Sequence, residues 1–150
     1  MNQLLSLIDR SGIDPPTLNE LLNRVFVKYG VVLAILFGSR ARGGSAREDS
    51  DYDIAVLAKN PLNHEEVVGL VKDLADALGV PVDKVDLVDL GRAPNELVYV
   101  VLRDGVPIYA IDWELARRLI AHMYVRILGE SDLDHVYYRV FRDRISKKRY

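Results

Sequence analysis

The sequence predicts an α/β fold in which helices pack on one side of a sheet, with a helical extension at the C-terminal end. Three observations carry that reading. Short apolar runs rich in β-branched residues, Val31 to Phe37 and Asp51 to Leu57 among them, alternate with segments whose apolar residues recur at helical spacing. Glycines mark the changes from one kind to the other, at Gly30, Gly38 and Gly79. A chain of 150 residues, 49% hydrophobic and 28% charged, suffices for one core and hardly for two domains.

The first helix is expected from about Thr17 to Tyr29. Thr17 and Glu20 have capping-box spacing, Leu18, Leu21, Leu22, Val25 and Phe26 form one face, and Gly30 ends it. A buried strand, Val31 to Phe37, and a second strand, Asp51 to Leu57, come next. The second helix runs from about Asn63, its N-cap, to Leu78. Its stripe is Val67, Leu70, Val71, Leu74 and Leu78, and Gly79 stops it. The run VDKVDLVDL, Val82 to Leu90, reads as a third strand, Pro94 to Arg103 as a third helix, and Val106 to Ile111 as a closing strand. Two further helices finish the chain, one opened by Asp112 and ended near Gly129, the other opened by Ser131. The division is therefore residues 1–110, an α/β unit, and residues 111–150, a helical extension that is not an independent domain.

Composition removes several kinds of chemistry. With no cysteine there is no disulfide, thiolate metal site or thiol nucleophile, and His64, His122 and His135 are too scattered for a zinc-like cluster or a Ser-His-Asp set. No run approaches the length of a membrane span, and MNQLLSLIDR has no basic leader, so a cytoplasmic address is expected. The net charge is −2, but Arg139, Arg142, Arg144, Lys147, Lys148 and Arg149 against Asp143 give the last twelve residues +5 and leave −7 on the rest. A basic end suits nucleic acid or an acidic partner, although a solvated, frayed terminal helix accounts for it more simply.

The chemistry is concentrated in GSRARGGSAREDSDYDIAV, Gly38 to Val56. Gly38 lacks a Cβ, so the backbone can take a positive φ and a ligand can come close, while Ser39 offers an N–H and a hydroxyl to a phosphate oxygen. Arg40 and Arg42 add guanidinium donors. Side chains alternate along a strand, so Asp51 and Asp53 share a face, about 6 to 7 Å apart. Two carboxylates on one face call for a counter-charge, and Mg²⁺ fits, because it takes one or two carboxylates and fills its other positions with water and substrate phosphates. In the next strand-like run Asp83, Asp86 and Asp89 are the candidates for a third acid. Asp86 is preferred, because it lies between Val85 and Leu87, where a buried carboxylate costs several kcal/mol unless something such as a metal pairs with it. Asp89 looks like the start of a turn at Gly91.

Gly38-Ser39, Asp51-Tyr52-Asp53 and Asp86, in that order and spacing, resemble the active-site pattern of the DNA polymerase β-like nucleotidyltransferases. Within that superfamily the short chain and the wording GSRARG…SDYDIAV resemble the minimal nucleotidyltransferases (MNT), over roughly residues 17 to 110. The resemblance implies a polymerase β-like mixed sheet and a metal-dependent transfer of AMP, or another NMP, from ATP or another NTP to a hydroxyl. Asp51, Asp53 and Asp86 would be catalytic and would hold two Mg²⁺ ions, Asp86 also accepting the hydroxyl's proton. Gly38, Ser39, Arg40 and Arg42 would bind the nucleotide.

The resemblance also implies a partner: a cognate HEPN-domain RNase toxin, silenced by addition of AMP to one of its tyrosines. Two other readings remain open, an enzyme acting on a small molecule and a nucleotide-binding module that neutralises its partner by contact alone. A template-directed polymerase is disfavoured by the acidic net charge and the lack of room for a nucleic-acid clamp. Finally, Arg117, His122 and Tyr124 form R-x4-H-x-Y, which resembles the HEPN toxin motif itself. It is read as a remnant or mimic of that element, as a site of self-modification at Tyr124, or as an ordinary helix face.

Overall fold

The computed structural model describes residues 15–41 and 50–128, with side chains from 20 to 41 and from 50 to 127. Helix α1, Pro15–Lys28, begins two residues before the expected capping box, so Thr17 lies inside it. Pro15 explains the earlier start: its fixed φ suits a helix, and its missing N–H is no loss in the first turn. Strand β1, Val31–Phe37, matches its expected span, whereas β2, Tyr52–Ala58, starts one residue late and leaves Asp51 just ahead of the ladder.

Helix α2, His64–Leu78, is closed by a reciprocal capping box. The Asn63 side chain accepts from the Glu66 N–H at 2.8 Å, and Glu66 accepts from the Asn63 N–H at 3.0 Å. Gly79 closes the other end, its N–H reaching the Asp76 carbonyl at 3.2 Å. The expected strand from Val82 is shorter. Residues Val82–Lys84 form a 3₁₀ turn, in which the Lys84 N–H donates to the Pro81 carbonyl at 3.0 Å, and β3 covers only Val85–Asp89. Helix α3, Asn95–Asp104, strand β4, Val106–Ala110, and helix α4, Trp113–Leu128, complete the described chain. Asp112 opens α4 by accepting from the N–H groups of Glu114 and Leu115 at 2.8 and 3.2 Å. The helix expected from Ser131 and the basic end lie outside the described residues.

The four strands form one mixed sheet in the order β3-β2-β1-β4, with β1 antiparallel to β2 and β4, and β2 parallel to β3 through the α2 crossover. On one face Leu22 and Phe26 of α1 and Leu70, Leu74 and Leu78 of α2 meet Ala34, Leu36, Tyr52, Ile54 and Val56. Helices were expected on that side alone, but the other face is covered too. There Val98, Val101 and Leu102 of α3 and Ala116, Ile120 and Met123 of α4 pack on Leu33, Ile35 and Ala55. The cause is in β1 and β2, which are apolar at successive positions and so need cover on both sides. Each large apolar side chain buried contributes about 1.5–3 kcal/mol, so stripping the α3/α4 layer would consume a domain's whole net stability of about 5–15 kcal/mol.

Candidate active site

The site is built where β1 ends and β2 and β3 begin. Phe37, the last residue of β1, pairs with Asp53, and Asp53 in turn pairs with Asp86 across the parallel ladder. Register partners in a parallel pair project from the same face, so Asp53 and Asp86 both stand on the face of Ala55 and the α3/α4 layer. Asp51, two residues before Asp53, lies just ahead of the strand, where no ladder pairing sets its direction. Asp51 and Asp86 are exposed and Asp53 half-buried. The desolvation cost that singled out Asp86 in the sequence is thus not incurred, and it is the register that sets Asp86 beside Asp53.

The same register separates Asp86 from its neighbours. Asp89 pairs with Val56, whose side chain belongs to the opposite core, and its carboxylate accepts from the Gly91 N–H at 2.9 Å with Arg92 3.8 Å away. It caps the turn, as its position next to Gly91 suggests. Asp83 sits in the 3₁₀ turn before the strand.

Gly38 has φ +74°, and the Ala41 N–H donates back to its carbonyl at 3.2 Å to close the turn. A Cβ at Gly38 would run into the Asp53 carboxyl group, with the carboxyl carbon only 2.9 Å away. The glycine therefore lets the Gly-Ser turn and the acid of β2 come together, a partner that its mere presence in the sequence does not disclose. Ser39 follows, partly exposed.

Arg40 is buried, 2% exposed, with Nε and Nη2 donating to the Ser50 carbonyl at 3.0 and 2.7 Å and the guanidinium 3.9 Å from the Tyr52 ring centre. Nothing in the sequence marks that clasp, because it joins residues ten apart across a loop. Arg42 lies outside the described residues. Among the described residues no three His, Cys, Asp or Glu side chains converge closely enough to form a ready-made metal cluster. The donor chemistry nonetheless fits Mg²⁺, which needs only one or two protein carboxylates when a phosphate chain supplies the rest.

The R-x4-H-x-Y residues of α4 do not gather into a site. His122 is exposed, Arg117 pairs with Glu114 at 3.3 Å, and Tyr124 is 2% exposed with its ring set edge-on to Tyr99. A core tyrosine does not present its hydroxyl to an incoming nucleotide, so the structure gives no support to self-modification there. A separate groove of about 400 Å³, lined by Leu21, Arg24, Val25, Asp73 and Ala77, lies between α1 and α2, the helices that cover the other face of the sheet from Asp53 and Asp86.

A mixed sheet bearing a Gly-Ser turn against register-matched carboxylates is the arrangement of a nucleotidyltransferase. The family model for polymerase beta nucleotidyltransferases matches residues 20–114, a span holding all four strands and every site residue named above. The chain belongs to that family, in its minimal (MNT) branch. It is 32% identical over 135 residues to the protein adenylyltransferase MntA of Aphanizomenon flos-aquae (strain 2012/KM1/D3), covering 79% of this chain and 87% of the relative. A toxin–antitoxin crystal structure with AMP-PNP contains a chain similar to it with TM-score 0.59 and 27% identity over 87% of this chain and 96% of that one. A complex of a tri-AMPylated Shewanella oneidensis HEPN toxin with its MNT antitoxin contains another, with TM-score 0.50 and 26% identity over 87% and 97%.

Proposed function

We propose that this protein is a protein adenylyltransferase antitoxin, which moves AMP from ATP to a tyrosine hydroxyl of a cognate HEPN RNase toxin. The observation that carries the reading is the contact of the Gly38 turn with Asp53, itself in register with Asp86, in a chain 32% identical to MntA. That MntA is a protein adenylyltransferase and that the neighbouring complexes hold AMP-PNP or an AMPylated HEPN toxin support the choice of nucleotide and acceptor.

In this reading the Gly38 and Ser39 N–H groups and the Ser39 hydroxyl hold the terminal phosphates, with Arg42 as a further phosphate ligand, so that charge on the leaving group meets fixed donors. Asp51 and Asp53 would hold Mg²⁺ against the triphosphate, and Asp86 a second ion together with them. Bound there, Mg²⁺ offsets phosphate charge and lowers the pKa of the acceptor hydroxyl. Asp86, exposed and beside Asp53, takes the tyrosine proton as the phenolic oxygen forms its bond to the α-phosphorus. The bond from that phosphorus to the bridging oxygen breaks, and pyrophosphate leaves in line.

The test is the intact mass of the cognate HEPN protein after incubation with this protein, ATP and Mg²⁺, read together with its RNase activity. Wild type is expected to add one or more AMP units and silence the RNase. Asp51→Asn is expected to slow both by about 1000-fold, the scale of losing several kcal/mol of charge stabilisation. A toxin silenced without any mass change would overturn the enzymatic reading in favour of inhibition by contact.

A further inference from the structure

Arg40 is the one charged side chain buried among the described residues, which makes its placement costly and its contacts informative. Its Nε and Nη2 converge on one acceptor, the Ser50 carbonyl, and its guanidinium carbon lies over the Tyr52 ring. Those two residues flank Asp51. Asp51 itself precedes β2, and the pairing of the sheet begins only at Tyr52 and Asp53, so the ladder does not fix its backbone. Arg40, for its part, is carried on the turn that Ala41 closes onto Gly38.

From these contacts we infer that Arg40 is a positioning residue, setting the Asp51 carboxylate relative to the Gly38-Ser39 turn so that both reach the same metal-bound triphosphate. The inference rests on the nucleotidyltransferase reading above and adds a role for a residue whose sequence context suggests only direct contact with nucleotide. The chemistry needs an arginine. Two N–H groups on one rigid plane can share a carbonyl while the plane stacks on an aromatic ring, whereas lysine keeps the charge but neither the fork nor the stacking.

The two roles give different kinetics. A side chain that holds Asp51 acts on the geometry of the reacting groups and on the metal, whereas one that binds ATP directly acts on nucleotide affinity. Arg40→Lys is therefore compared with wild type in AMP transfer to the cognate HEPN protein, in Mn²⁺ binding with AMP-PNP present, followed by electron paramagnetic resonance, and in thermal melting. The expected result is a kcat lower by about 10- to 100-fold, an ATP KM within about twofold, and Mn²⁺ binding weaker by about 10-fold, the usual cost of removing an outer-shell support. A raised ATP KM with kcat unchanged would overturn the inference in favour of direct nucleotide contact. A lowered melting temperature with both kinetic constants and Mn²⁺ binding intact would overturn it in favour of a purely structural clasp.

If Arg40→Lys does not fold, Arg40→Gln, which keeps one N–H donor and loses the fork, takes its place with the same expectations. Should wild type transfer no AMP, the functional reading fails by itself. The Mn²⁺ comparison then still decides the role of Arg40: equal binding by wild type and variant, or none by either, would overturn it.

Discussion

At Gly38 an alanine would place a methyl group into the Asp53 carboxyl and at a φ of +74° that L-residues avoid. The backbone term alone is about 1–2 kcal/mol, and the displaced carboxylate adds a loss of activity that stability does not measure. Gly30 separates the two effects, because it has a similar φ of +68° but nothing within 4 Å of a Cβ. Gly30→Ala is expected to lose only the backbone term in urea melts and Gly38→Ala at least as much, while only Gly38→Ala loses about 100-fold in AMP transfer, as a misplacement of about 1 Å would cause. Much of the site was legible at this scale, since the Gly-Ser turn and the acid pair stand out as residue types in order. What could not be read is which atoms meet. The closeness of Gly38 to Asp53 depends on β1 pairing with β2, and the Arg40 clasp depends on a contact across a loop.

Between elements, α1 is tied to α2 by Asp73, which accepts from Lys28 at 2.9 Å and from the Tyr29 hydroxyl at 2.8 Å. The hydrogen bond from Lys28, then that from Tyr29, holds the Asp73 carboxyl below its ordinary value of 3.8. An acid whose folded pKa is lowered stabilises the fold above its unfolded pKa, and that contribution is lost as pH falls through the folded value. Asp73→Asn is accordingly expected to be less stable than wild type by about 0.5–1 kcal/mol at pH 7, the partial exposure of the carboxylate keeping the figure small. Urea melts of the two proteins should converge well below pH 3.8; a gap that persists there would mean that packing, not ionisation, carries the effect. Strands and helices at this scale were legible from periodicity and stop signals, as Asn63, Gly79 and Asp112 show. The errors have physical causes: Pro15 starts α1 early, Pro81 precedes a 3₁₀ turn that shortens β3, and apolar residues on both sides of β1 and β2 call for helices on both faces.

For the molecule as a whole, the order of elements delivers the Gly-Ser turn and the acids to one end of a sheet, which is why residues nearly fifty positions apart, Gly38 and Asp86, lie at one place. Among the described residues no helix is long and apolar enough to cross a membrane. The sequence favours Asp86 over Asp89 because Asp89 stands beside the turn at Gly91; the register adds the reason that matters, setting Asp86 and not Asp89 beside Asp53. That pair also offers the most direct test of the site. Transfer of label from ATP labelled at the α-phosphate to the cognate HEPN protein is measured for Asp86→Asn and Asp89→Asn side by side. Asp86→Asn is expected to fall by about 100- to 10,000-fold, the range for losing a general base, and Asp89→Asn to stay within about twofold of wild type. Equal losses, or full activity in Asp86→Asn, would contradict the assignment of the site to this face of the sheet.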